Sequence, residues 1–302
     1  MATAPKARQK SDELLDPEFM ARLERLEYVS RKIFLGKMRG ERKSKRRGES
    51  VEFADYRPYV AGDDLRFLDW NILARLDRLF LKLFLEEEDL HVGVLLDVSK
   101  SMDWGDPAKE LYARRVTAAL AYIGLCNFDR VSIYPYANGL RAALAGVRGR
   151  RMMFQVVDFL RGLEPEGVSN LSLACKQYAI RHPQRGILLV LSDFLDKGGY
   201  EQGLRYLLGR DLDLHAVQVL SPQELEPELA GDLRLVDVED DDMAEVTVSR
   251  ALLNRYKQNL QAYCASLKEF CSRRGISYLF TGTDVPFDQL VLSYLRRRGL
   301  LK

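Results

Sequence analysis

The sequence predicts an α/β protein: a doubly wound, mostly parallel sheet carrying a small N-terminal extension that is part helical and part β. Three observations predict it. From residue 91 onward, short near-continuous apolar runs alternate with amphipathic stretches, the pattern of strands buried on both faces beneath helices. With 302 residues, 47% of them hydrophobic, the chain can bury one large core or two modest ones. Before residue 91 that alternation is missing, and a helical pattern, a basic run and an aromatic-acidic stretch follow one another instead.

The first element read from the chain is DPEFMARLERLEYVSRKIFLG. Asp16 can cap it, Pro17 suits the first helical position, Phe19, Leu23, Leu26 and Ile33 recur at near-helical steps, and Gly36 ends it. Residues 37–47, KMRGERKSKRR, set Lys37, Arg39, Arg42, Lys43, Lys45, Arg46 and Arg47 against the single acid Glu41. Residues 48–90 mix aromatics, acids and arginines too evenly for one amphipathic helix and read as a compact non-helical unit with a strand at 79–85. Tyr59, Phe67 and Trp70 are its aromatic anchors, and Asp63, Asp64, Arg66, Asp69 and Arg75 are close enough in sequence for a polar network. This divides the chain into an N-terminal helix and basic linker (1–47), a segment packing on the main domain (48–90) and the main α/β domain (91–302).

Within the main domain, strands are expected at 91–97, 131–137, 185–193, 214–220 and 276–282. Helices are expected near 108–126, 151–162, 169–181, 199–209, 250–274 and 286–298. Residues 233–249 read as a hairpin, two short alternating runs flanking Asp240, Asp241 and Asp242. Those acids lack the spacing of a calcium loop, which makes a solvated turn the better reading.

Composition narrows the function. Lys plus Arg number 46 against 44 Asp plus Glu, so a net charge of +2 favours neither a nucleic-acid nor a membrane partner in bulk. Local contact with an anionic ligand or membrane face through 37–47 is the exception. Cys126, Cys175, Cys264 and Cys271 show no C-x-x-C spacing and read as free thiols. Without a signal-like N-terminus or a run approaching roughly 18 apolar residues, a cytoplasmic protein is expected.

Ligands of an open parallel sheet bind beyond the carboxyl ends of its strands. Asp97 ends the first strand, in LLDVSKSMDWG, and Ser99 and Ser101 follow at steps of two; Asp193 ends the strand RGILLVLSD on the same edge. Ser169, in EGVSNLSLACK, opens a helix toward that edge, with Asn170 its nearest rival. Donors that are all oxygen, few of them charged, suit a hard divalent cation: Mg²⁺, with Mn²⁺ or Ca²⁺ as alternatives. Neutral hydroxyls leave the ion residual positive charge, so a partner's carboxylate could replace a water on it. The competing reading is that Asp and Ser after strands merely stabilise turns and cap helices.

LLDVSKSM, GVSNLSLA and LVLSDF resemble the three loops of the metal-ion-dependent adhesion site of von Willebrand factor A domains, over about residues 91–302. The resemblance implies strand order 3-2-1-4-5-6, places Asp97, Ser99 and Ser101 in the D-x-S-x-S motif, puts Ser169 where a threonine is usual, and makes Asp193 the third-loop aspartate. Upstream, Arg57, Tyr59, Gly62, Asp63, Asp64, Arg66, Asp69, Trp70, Ala74 and Arg75 resemble the longer signature of the bacterial DUF58 family. Because members commonly accompany MoxR-type AAA+ ATPases, that resemblance implies an adaptor for an ATP-driven remodelling or assembly system. The expected function is metal-dependent protein binding rather than catalysis, with a MoxR-type ATPase or a client offering a carboxylate as partner. A metal-dependent phosphohydrolase is the alternative, but Ser99 stands where a D-x-D mechanism needs a second carboxylate. The chain also lacks G-x-S-x-G, H-E-x-x-H and Walker patterns.

Overall fold

The computed structural model describes residues 14–29, 52–61, 65, 68–85, 90–182, 185–239, 243–297 and 300–301. In chain order, α1 (Pro17–Leu23) precedes β1 (Glu52–Pro58), α2 (Trp70–Leu76) and β2 (Phe80–Leu85). Then come β3 (His91–Asp97), α3 (Lys109–Cys126), β4 (Arg130–Ala137), β5 (Gly139–Leu140), β6 (Leu144–Val147), α4 (Met153–Arg161) and α5 (Leu171–Arg181). The remainder is β7 (Gly186–Ser192), α6 (Glu201–Leu208), β8 (Leu212–Leu220), α7 (Pro222–Leu225), β9 (Gly231–Val236), β10 (Met243–Val248), α8 (Arg250–Arg273), β11 (Ser277–Gly282) and a helical segment over 287–297. Two units result, one of which spans residues 40–89 while the other joins the N-terminal stretch to everything from Leu90 onward.

In the larger unit the apolar runs form a sheet in the order β11-β8-β7-β3-β4, all parallel, with β5 and β6 turning back antiparallel against β4. Counting β6 as the third main strand, this is the expected order 3-2-1-4-5-6, a von Willebrand factor A-type topology whose switch point lies between β3 and β7. Both faces are covered, which explains why the strands read as unbroken apolar runs. Val92, Val94 and Leu96 of β3 join one core with α1, α3, α4 and the C-terminal segment, while Leu95 joins the other with α5, α6 and α8. At the tightest point between α3 and the sheet, a Cβ on Gly124 would stand 2.7 Å from Val131 Cγ2.

The N-terminal helix is shorter than its periodicity predicts. Asp16 Oδ1 accepts the Phe19 N–H at 2.8 Å and Pro17 opens the helix, as expected, but α1 ends at Leu23. Beyond it Leu26 and Tyr28, two residues apart, are both buried, in keeping with the period-two pattern of an extended chain. Tyr28 forms an antiparallel bridge with Leu301 and donates its hydroxyl to the Leu120 carbonyl at 2.8 Å. Backbone pairing and core burial together outweigh local helical periodicity here. Ile33, Gly36 and the basic run 37–47 lie outside the described residues.

In the smaller unit β1 and β2 pair antiparallel, so the expected strand near 79–85 is present. The non-helical expectation needs correction, because α2 lies between the two strands. Asp69 makes it: its Oδ1 accepts the N–H groups of Asn71 and Ile72 at 2.8 and 3.2 Å, satisfying two otherwise orphaned donors. Of the expected anchors Trp70 is 64% exposed, and Phe67 lies outside the described residues, as do Asp63, Asp64 and Arg66 of the polar network. The expected hairpin near 233–249 is β9 paired with β10, apart from the main sheet. All four cysteines are free. Among the described residues no helix is long and apolar enough to cross a membrane.

Candidate metal centre

Register sets the site. His91 stands opposite both Arg130 and Gly186, and Asp97 opposite Tyr136, so β3, β4 and β7 finish at one level. Their following loops are then stitched together by backbone. The Val98 N–H reaches the Tyr136 carbonyl at 2.9 Å, the Glu166 N–H the Val98 carbonyl at 3.0 Å, and the Lys100 N–H the Gly167 carbonyl at 3.1 Å. Gly167 supplies the left-handed turn, with φ of 77°, that brings the second loop against the first.

Asp97, 1% exposed, is the hub of what they enclose. Its Oδ1 accepts the Ser99 N–H at 3.0 Å and the Ser99 hydroxyl at 2.7 Å. Its Oδ2 accepts hydroxyls from Ser192 at 2.7 Å, Tyr136 at 3.1 Å and Ser169 at 3.2 Å. Ser101, half-buried, lies 3.1 Å from Ser99, oxygen to oxygen. Ser169 holds the second-loop position, and its rival Asn170 instead caps α5, accepting the Leu173 N–H at 3.0 Å.

Asp193 lies at the same edge but has different partners. Its Oδ2 takes the Lys109 ammonium at 2.7 Å and its Oδ1 the Leu195 N–H at 3.0 Å. Lys109, 1% exposed, also pairs with Glu224 Oε1 of α7 at 2.5 Å. Burial opposes that ammonium, but Asp193 and Glu224 outweigh it and raise the Lys109 pKa. The backbone beneath is fixed too: Phe194 adopts φ of 58°, rare for a bulky residue, and is held by its N–H to Ser192 Oγ at 2.9 Å and by the Tyr263 hydroxyl on its carbonyl at 2.5 Å. Gln218 donates to the Asp193 carbonyl at 2.8 Å.

Burial and then the Asp193 charge push Asp97 up to about 6, against the pull of the Ser192 and Ser99 hydrogen bonds. When ionised, Asp97 has hydrogen bonds from neutral groups and no ammonium or guanidinium among its described partners, which suits the place to a cation. The spacing suits one as well. Ligands at about 2.0–2.1 Å on perpendicular axes of Mg²⁺ stand about 3.0 Å apart, close to the 3.1 Å between Ser99 and Ser101 and the 3.2 Å between Ser169 and Asp97. The same distances serve as hydrogen bonds, so these oxygens could pass from proton sharing to ion binding with little backbone movement. The donor set of Asp97, Ser99, Ser101 and Ser169 therefore fits a small hard cation. Asp193, already neutralised by the Lys109 ammonium, fits an outer position, reached across a water. Among the described residues, no group of three or more His, Cys, Asp or Glu side chains is placed to hold a metal ion.

Asp97, Ser99, Ser101, Ser169 and Asp193, singled out in the sequence, lie together at this edge, and Ser192, Tyr136, Lys109 and Glu224 join them there without having been singled out. Tyr136 was recoverable from strand register, and Ser192 from its place beside Asp193. Lys109 carried a subtler signal: a cation at the first position of a helix opposes the macrodipole and needs nearby acids to hold it there. Glu224 announces itself only as the partner of Ser221 in a capping box, its Oε2 accepting the Ser221 N–H at 2.8 Å.

Three chemically simple histidines complete the inventory. His91 sits at the amino end of β3, a strand's length from Asp97, and hydrogen-bonds Ser132 at 3.0 Å; burial lowers it to about 4. His182 packs on Tyr134 and Tyr178, and His215 is buried within β8.

Among known proteins, the uncharacterized protein Mb1516 of Mycobacterium bovis is 27% identical over 297 residues, covering 95% of this chain and 92% of its own length. The uncharacterized protein MAV169 of Mycobacterium avium is 28% identical over 141 residues, 45% of this chain and 82% of its own. Of solved structures, BatB from Bacteroides thetaiotaomicron aligns over 69% of this chain and 98% of its own at 14% identity and a TM-score of 0.41. A von Willebrand factor type A protein from Catenulispora acidiphila aligns over 73% and 43% at 9% identity and a TM-score of 0.42. The family described as "Protein of unknown function DUF58" matches residues 55–281, from the first strand of the smaller unit to the last strand of the sheet, and the chain belongs to that family.

Proposed function

We propose that this protein is a binding module that grips a partner protein through a divalent cation at the carboxyl edge of its sheet. The observation that carries this reading is the convergence of Asp97, Ser99, Ser101 and Ser169 from two loops at oxygen spacings an octahedral ion could accept. Those four residues would hold the ion, with Asp193 behind them. The ion would supply a positive charge that neutral hydroxyls leave unquenched, and a carboxylate on the partner is the group that charge selects. Mg²⁺ or Mn²⁺ fits better than Ca²⁺, whose longer bonds would spread the same oxygens further apart.

The partner we favour is a MoxR-type AAA+ ATPase or its client, the pairing that the DUF58 resemblance implies. The reading is non-catalytic. Ser99 occupies the place of a second acid, and the histidines offer no general base at the site. The test is a pull-down with such an ATPase, with and without EDTA, comparing wild type with Asp97→Ala. Capture should vanish with chelation and in the variant; capture indifferent to both would remove the ion from the mechanism.

A further inference from the structure

The β9–β10 hairpin gains little from its own burial. It stands outside the seven-stranded sheet, and its apolar side chains Leu235, Val236, Val238 and Met243 are 42%, 53%, 45% and 60% exposed. A two-stranded ribbon of that kind is marginal by itself, so polar contacts at its end matter to where it rests. Two of them reach the candidate metal centre. Asp237 Oδ2 pairs with Lys197 Nζ at 2.9 Å, in the loop that continues from Asp193. Glu239 Oε2 accepts the backbone N–H of Ser169 at 3.2 Å, and the hydroxyl of that same serine donates to Asp97. The Glu239 N–H in turn donates to Asp237 Oδ1 at 2.8 Å, which joins the two acids.

A carboxylate of this chain thus stands on a residue that bears a donor of the proposed ion. We propose that Glu239 is an internal carboxylate ligand of that centre, occupying in the resting protein the position a partner's carboxylate takes on binding. This rests on the ion-binding reading above and extends it. The chemistry that would recognise a partner is already satisfied intramolecularly, so a partner must displace the hairpin tip and bring a better-placed acid. Glu239 is half-buried and the two strands behind it are largely exposed, which makes the exchange feasible without disturbing the core.

The test titrates Mn²⁺ into the full chain as wild type, Glu239→Gln and Asp97→Ala, following free Mn²⁺ by electron paramagnetic resonance, with acetate as a probe carboxylate. Glu239→Gln should bind Mn²⁺ about tenfold more weakly, and millimolar acetate should restore affinity in that variant while leaving wild type unchanged. Mn²⁺ should also slow amide exchange over 231–248 in wild type and not in Glu239→Gln. If Mn²⁺ binds wild type and Glu239→Gln equally, with the same acetate response, and Asp97→Ala abolishes binding, Glu239 is no ligand while the ion reading survives. Failure of wild type to bind Mn²⁺ overturns both.

Discussion

Asp97 and Asp193 follow adjacent strands of one sheet, share its carboxyl edge and are almost equally buried, at 1% and 2% exposed. Their partners differ in kind. Asp97 receives five hydrogen bonds from a backbone amide and four neutral hydroxyls, whereas Asp193 is paired with a buried ammonium. Neutral donors stabilise a buried charge without cancelling it; a lysine cancels it. A cation, if one binds, would be favoured at the acid with hydrogen bonds but no countercharge, not at the one already matched.

The hardest way to break this comparison is to remove the lysine. Lys109→Met strands Asp193 and Glu224 without their countercharge and should cost about 3–5 kcal/mol in urea unfolding. Adding Asp193→Asn to that variant should restore part of the loss, and a strictly additive double variant would mean the two groups do not interact.

Next is pH. Asp97 binds its proton more tightly folded than unfolded, so its contribution to stability is largest below pH 4, declines as pH rises from about 4 to 6 and is level above that. Asp97→Asn should flatten this stretch of the stability–pH curve, and an unchanged curve would show that Asp97 is not the group responsible. If Mn²⁺ or Mg²⁺ binds there, adding it should raise the melting temperature most above pH 6 and leave Asp97→Asn unmoved.

Smallest is Tyr136→Phe, which removes one hydroxyl from Asp97 and should cost about 1–2 kcal/mol. The change beside Asp193, Gln218→Leu, removes the donor to the Asp193 backbone carbonyl and also the acceptor of the Tyr278 hydroxyl at 2.6 Å. With two buried groups left unpaired it should destabilise by about twice as much, without altering the pH curve.

Much of this was legible in the sequence. Unbroken apolar runs located all five parallel strands, because burial on both faces leaves no other pattern, and the strand-end rule then placed Asp97 and Asp193 on one edge. Local periodicity failed where distant pairing decided the outcome. Leu26 and Tyr28 look helical but are drawn out by Leu301, and the α2 helix was hidden because its start depends on one aspartate's cap rather than on an apolar stripe. The Lys109–Glu224 pair was hidden for a related reason: the first position of α3 and the capping box of α7 are each local signals, and the two side chains meet only once β8 has brought α7 beside the start of α3.

The bonds that build the candidate metal centre join residues 72, 84, 95 and 115 positions apart along the chain. Contacts of such long reach close late, after the intervening strands have aligned. Ion capture would then act as a certificate of completed folding: a chain with one strand out of order could keep much of its secondary structure yet offer a partner nothing to hold. A cation added during refolding should leave the folding rate nearly untouched and slow unfolding instead.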